Sequence, residues 1–291
     1  MIAVLVYGQF RSFKLNLLNN LHELFDEVSS DIHFYFLTEN CQEYQDYEKN
    51  KAEVFRIINE YKNPKNIMCE VKYFEHLDSS IYYSSVIEQQ ICEDYNNIQT
   101  PYKKDVFTPK LIYRRCLINE IMNRETGNSQ IKYDKVIFAR LFDAIFKRCK
   151  SLEFINDVND NKIYFGVDTL FLGKQDDMNI LMKVDYIRNK IIINNVYEFH
   201  IFYIKHDECL GKMLPMCASE TIFSAVIFNH FLDRCQNLRF DYSRDGISSE
   251  VYKVDDEYDG YGIANNGVRI NTENYVVIIL DPKRKVAKYC L

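Results

Sequence analysis

Residues 133–146 read YDKVIFARLFDAIF, and this stretch constrains the fold more than any other. Val136, Ile137, Phe138 and Ala139 form an unbroken apolar run. Such a run suits a strand covered on both faces, the usual situation in a parallel sheet. An arginine and an aspartate follow at once, Arg140 and Asp143. In open α/β sheets, ligands bind in the crevice beyond the carboxyl ends of the strands, so charges placed there can meet a phosphate or a metal ion. Arg140 would face the phosphate and Asp143 a cation or a hydroxyl. The other reading of the same residues is an ion pair closed across a turn.

Strand-like and helix-like segments alternate on the amino-terminal side. Residues 2–6 are a strand, and Gly8, Gln9, Phe10 and Arg11 make a polar turn. A helix follows with Leu15, Leu18, Leu21, Leu24, Phe25 and Val28 at helical spacing. Strand, glycine turn, helix is a layout that binds phosphate. Gly8 lets a ligand approach the backbone, the free amides at a helix start favour an anion, and Arg11 can add a charge-assisted contact. A plain connection is the alternative. The glycines follow neither G-x-G-x-x-G nor a P-loop pattern, which argues against a dinucleotide enzyme or an NTPase.

Residues 32–38 read as a second buried strand ending in Thr38 and Glu39. A polar helix over 43–61 stops near Pro64, and 68–74 alternates like a third strand. Ser84, Ser85 and Glu88 can cap a helix running to about Asn96, followed by the loop NNIQTPYKKD. Thr108 and Pro109 open a helix over 111–124, which leads through a turn at Gly127 into the Tyr133 strand. The alternation predicts an α/β fold built on a mainly parallel, doubly wound sheet.

A chain of 291 residues with 47% hydrophobic and 27% charged residues suits one large domain, expected here as a single body with two halves, 1–146 and 147–291. The net charge of -6 argues against a general nucleic-acid binder, while a local arginine cluster can still hold a diphosphate. The nine cysteines stand singly, with no C-x-x-C pair, as buried thiols of a reducing compartment would. The apolar start MIAVLVYGQF lacks a basic flank and is too short to span a membrane. A cytoplasmic protein is expected.

The segments IAVLVYGQFRSF, DIHFYFLT, YDKVIFARLFDAIF, GVDTLFLGKQDDMNILM and ASETIFSAVIFNHFL occur in an order that resembles a group of glycosyltransferases with the GT-A fold. The resemblance covers about the first four fifths of the chain. It implies a Rossmann-like domain in which 1–146 binds a nucleotide-diphospho-sugar and 147–291 forms the acceptor side. Gly8, Gln9 and Arg11 would lie near the nucleotide. Many members carry Asp-x-Asp after the fourth strand to hold manganese or magnesium and the diphosphate; Arg140 and Asp143 stand in the corresponding place. They are separated by one residue more than the Arg-x-Asp of close relatives. Neutralisation of the diphosphate would fall to a Mn2+ or Mg2+ ion held by Asp143, or to Arg140 and Arg11.

By the same resemblance Asp168, in GVDTLFLG, faces the sugar or acceptor pocket; a turn-capping aspartate is the other reading. Asp176 and Asp177 read as helix caps before a helix over 178–188. A strand over 197–205 carries His200 and precedes His206, neither with a partner at metal-ligand spacing. Glu220, in the first turn of the next helix, suits a general base or acceptor contact as well as it suits the helix dipole. The acidic loop 255–262 can cover the acceptor or simply be solvated, a last strand runs over 274–280, and the short basic tail 283–288 can touch a membrane surface or an acidic partner without an amphipathic helix to hold it there. The expected function is glycosyl transfer from a nucleotide-sugar donor to a glycan or protein acceptor. A degenerate nucleotide- or glycan-binding protein and a nucleotidyltransferase are the alternatives.

Overall fold

The apolar runs pair into one sheet. The computed structural model describes residues 1–10, 13–39, 45–77, 89, 93, 108–142, 144–148, 153–166, 170–182, 231, 234–237, 261–263, 269–271 and 276–280. Strands β1 (Ile2–Gln9), β2 (Ile32–Glu39), β3 (Cys69–Leu77) and β4 (Lys135–Ala139) run parallel, with β1 between β2 and β4 and with β3 outside β2. Ile2 stands opposite both Ile32 and Lys135, so these strands start level and their carboxyl ends share one edge.

Past β4, a β5 strand (Ala144–Arg148) leaves the sheet and pairs antiparallel with β11 (Val276–Leu280). The main sheet continues through β6 (Ile163–Gly166), β7 (Leu170–Gly173) and β8 (Cys235–Asn237) in the order β3-β2-β1-β4-β7-β6-β8. Only β7 among these runs against the rest, antiparallel to both β4 and β6, while β8 is parallel to β6. The mainly parallel sheet expected from the alternation is present, with this one reversal. A separate pair, β9 (Tyr261–Ile263) and β10 (Arg269–Asn271), is antiparallel.

Helices cover both faces. On one, α1 (Phe13–Phe25) and α2 (Tyr47–Glu60) bring Phe13, Leu17, Leu21, Val54 and Ile57 against Val4, Val6, Phe34 and Phe36. On the other, α3 (Thr108–Ser129) and α4 (Gln175–Leu181) bring Ile118, Met122, Met178 and Leu181 against Ala3, Leu5, Tyr35 and Phe138. Alternate residues of β1 thus enter different cores, which is why its sequence is apolar without a break. None of the described helices is long and apolar enough to cross a membrane.

Three local expectations are corrected. Gly8 and Gln9 are not a turn but the last residues of β1, paired with Thr38 and Glu39, and Phe10 is fully buried. The helix α3 runs through Gly127 to Ser129; it stops at Gln130, whose φ is 54°. A helical glycine costs only about 1 kcal/mol against alanine, less than the packing of the whole helix returns. Asp176 and Asp177 lie inside α4 and do not cap it, since Lys174 holds the cap position. Asp177 instead accepts from Arg234 at 2.8 and 3.1 Å.

Candidate functional site at the carboxyl edge of the sheet

The edge is assembled by the ends of β1, β2 and β4 and by the first turns of α3. The last registered pair between β1 and β4 is Leu5 with Phe138. Gly8 follows three residues later on one strand and Arg140 two residues later on the other. The sheet thus brings together Gly8, Gln9 and Arg140, three of the residues singled out by sequence. A Cβ built on Gly8 would meet no heavy atom within 4 Å, so the backbone there faces open space. Arg140 is only 8% exposed.

Beneath this edge lies a buried polar cluster that sequence reasoning missed. The Tyr7 hydroxyl donates to Glu39 Oε1 at 3.0 Å, and the Arg114 guanidinium of α3 lies against the same carboxylate oxygen. Glu39 is buried and Arg114 entirely so; burial pulls the Arg114 pKa below its usual value. Arg115, equally buried, sits 5.6 Å over the ring of Phe138, a cation–π contact. The signal was present as a doubled arginine, YRRC, inside a stretch of apolar helical spacing. Phe10 N–H donates to the Glu39 carbonyl at 3.0 Å, which ties the end of β1 to the end of β2.

Beside β2, the Thr38 hydroxyl donates to the Glu75 carbonyl at 3.3 Å and lies 3.5 Å from His76 Nδ1. The His76 ring stacks on Tyr47 at 4.6 Å and on Phe10 at 6.2 Å. On the far side of β4, Ala139 pairs with Leu170 and Leu170 with Gly166, so β6 ends and β7 begins at this edge. Asp168 falls between those strands in sequence. It lies outside the described residues, as do Arg11, Asp143, His200, His206 and Glu220.

The RLFD spacing has a physical reason at its centre. Leu141 and Phe142 are both fully buried, and the Phe142 ring packs on Phe10, Phe36 and Phe13 at 5.5, 5.7 and 5.7 Å. The two residues between the charges are therefore core residues that anchor the chain below the edge. Arg114, Arg115 and Arg140 are all buried at this edge, as is Glu39. Among the described residues no group of three His, Cys, Asp or Glu side chains can hold a metal ion.

No protein-family model matches the chain. No curated protein matches it significantly. Among the solved structures similar to it are glycosyltransferases. The galactosyltransferase LgtC, in complex with donor and acceptor sugar analogues, is 11% identical over 97% of this chain and 87% of its own, with a TM-score of 0.38. Mouse xyloside xylosyltransferase 1 in its apo form is 11% identical over 96% of this chain and 97% of its own, with a TM-score of 0.43. The glycosyltransferase GlyE of Streptococcus pneumoniae is 11% identical over 82% of this chain and 46% of its own, with a TM-score of 0.35.

Proposed function

We propose that the chain is a GT-A glycosyltransferase that moves a sugar from a nucleotide-diphosphate donor to an acceptor hydroxyl. The observation that carries this reading is the carboxyl edge of the mainly parallel sheet, where β1 ends in Gly8, open on one side, and Gln9, beside the end of β4 and Arg140. Departure of a nucleoside diphosphate develops negative charge, and fixed cations in a water-poor setting stabilise that charge without reorganising. The open face of Gly8 gives the donor room to lie along β1. The order of the sequence motifs points the same way.

In this reading Gly8, Gln9 and Arg11 line the nucleotide, and Arg140 with Arg11 neutralises the diphosphate. Asp168 and Glu220 face the acceptor, where a carboxylate can orient the hydroxyl and take its proton. Glu39 is engaged by Tyr7 and Arg114, so it is not a free ligand for a cation. Asp143 is the position given to a magnesium or manganese ion, which when bound would add positive charge beside the diphosphate.

The test is donor hydrolysis without acceptor, using UDP-, GDP-, CMP- and dTDP-sugars. The wild type should release free sugar and nucleoside diphosphate, or monophosphate from a CMP-sugar, from one donor class. Arg140→Gln should lower that rate about 10²- to 10³-fold, the scale for removing one transition-state charge contact. Asp143→Asn should abolish turnover with the melting temperature unchanged, and wild-type turnover in that variant would remove Asp143 from the site. Release of pyrophosphate from a nucleoside triphosphate supplied with a sugar phosphate would identify a nucleotidyltransferase, and tight binding with neither product a binding protein.

A further inference from the structure

The face that α1 turns to the sheet carries Phe13, Leu17, Leu21 and Phe25, all fully buried, and among them two asparagines. Asn16 is 6% exposed and Asn20 is 0% exposed. At a spacing of four they sit one above the other on the helix. A buried amide is costly unless its donors and acceptor are used. Here they converge on one place. Asn20 Nδ2 donates to the Leu141 carbonyl at 2.8 Å, and its Oδ1 accepts from Phe146 N–H at 2.9 Å. Asn16 Nδ2 donates to the Phe142 carbonyl at 3.2 Å.

These backbone groups belong to the passage from β4 to β5, where the chain leaves the main sheet. The ladder of β4 ends at Ala139, and β5 takes up pairing with β11 from Ala144. Between them the Leu141 and Phe142 carbonyls have no strand to bond to, and their side chains lie in the core. An apolar residue at position 16 or 20 would pack α1 as well as Leu17 and Leu21 do, yet would take from those carbonyls the donors that the asparagines supply. The asparagines therefore serve the turn rather than the helix. That turn opens with Arg140 and leads in sequence to Asp143.

We propose that Asn16 and Asn20 are positioning residues: they clamp the backbone that follows Arg140, so that the arginine is held at the edge where the donor diphosphate would lie. The assignment rests on the glycosyl-transfer reading above. The clamp reaches across the whole first half of the chain, since its partners lie 126 and 121 residues apart. Asn20 bonds both an acceptor and a donor of this passage, which fixes the orientation of its amide.

The test compares Asn16→Ala, Asn20→Ala and Asn20→Asp with wild type by amide hydrogen exchange and by hydrolysis of UDP-glucose, GDP-mannose, dTDP-glucose and a CMP-sugar in parallel. Exchange over residues 140–147 should rise about tenfold in Asn20→Ala while peptides from α3 are unchanged, the mark of a local opening. In the same variant kcat should fall about 10²-fold with KM within about threefold, the effect of misplacing a group by an ångström. Asn16→Ala, which loses one bond, should lose about tenfold. Asn20→Asp should regain turnover as pH falls, because the neutral carboxyl can again donate to Leu141 and accept from Phe146; wild type should lack that limb.

Wild-type kcat in variants whose exchange has risen would overturn the proposal, as would unchanged exchange over 140–147. If Asn20→Ala does not fold, the other two variants decide. A wild type that hydrolyses none of the sugars would overturn the glycosyl-transfer reading, and this inference with it. An active wild type matched by its variants would overturn the inference alone.

Discussion

Glu39 and Arg114 meet where neither can reach water, and a buried ion pair of this kind is felt most when half of it is removed. Glu39→Ala should destabilise the protein by about 3–5 kcal/mol, seen as a lower urea midpoint, because it removes the carboxylate that a buried guanidinium lies against. Replacing both partners, Glu39→Leu with Arg114→Met, should recover most of that loss. A single Glu39→Ala variant as stable as wild type would show that the pair is not the anchor described. At the opposite end of the sheet, His33 is buried with Nδ1 2.8 Å from the Tyr133 hydroxyl, which in turn lies 2.8 Å from that of Tyr35. The His33 Nε2 has no hydrogen-bond partner among the described residues. Burial, then the charge of Lys72, holds its pKa below the ordinary 6.5. The native state keeps this ring neutral while the unfolded chain takes up a proton below 6.5, so stability is intact above that pH and falls as pH drops beneath it. His33→Gln should flatten the dependence of the urea midpoint between pH 6.5 and 5; an unchanged slope would exclude His33 as its source.

At the scale of elements, the strands that enter both cores were legible and the boundaries were not. The runs that became β1, β2 and β4 are apolar without interruption, and burial on two faces leaves little else they could be. The glycines misled. Gly8 reads as a turn but continues a ladder, and Gly127 reads as a helix stop but lies within α3, because pairing and packing outweigh a local preference of about 1 kcal/mol. Helix α2 starts later than the polar pattern suggests, where Asp46 Oδ1 accepts from Lys49 N–H at 3.1 Å. Asp46→Ala should cost about 1 kcal/mol in a urea titration, with no effect on donor binding. In β7 a Cβ on Gly173 would stand 3.1 Å from Ile163 Cγ1. Gly173→Val should therefore destabilise the β6–β7 pairing by about 1–3 kcal/mol, and a neutral result would mean that Ile163 yields freely.

For the whole molecule, the alternation of strands and helices carried the parallel sheet, but it did not carry the reversal of β7. Direction there is decided by a short hairpin whose pairing partners, β4 and β6, are known only once the chain is folded. The candidate site divides in the same way. Gly8, Gln9 and Arg140 could be read in sequence because each directly follows or ends an apolar strand. The Tyr7, Glu39 and Arg114 cluster and the asparagine clamp could not, since their members come from distant segments that only the crossovers unite. The central claim is that this edge binds a nucleotide-diphospho-sugar. A thermal-shift panel of UDP-, GDP-, CMP- and dTDP-sugars, each with and without manganese, tests it most directly. At 100 times its dissociation constant a donor adds about 2.7 kcal/mol, roughly several degrees for a chain of this size. The account predicts such a shift for one nucleotide, with Arg140→Gln losing most of it; no shift with any donor would contradict it.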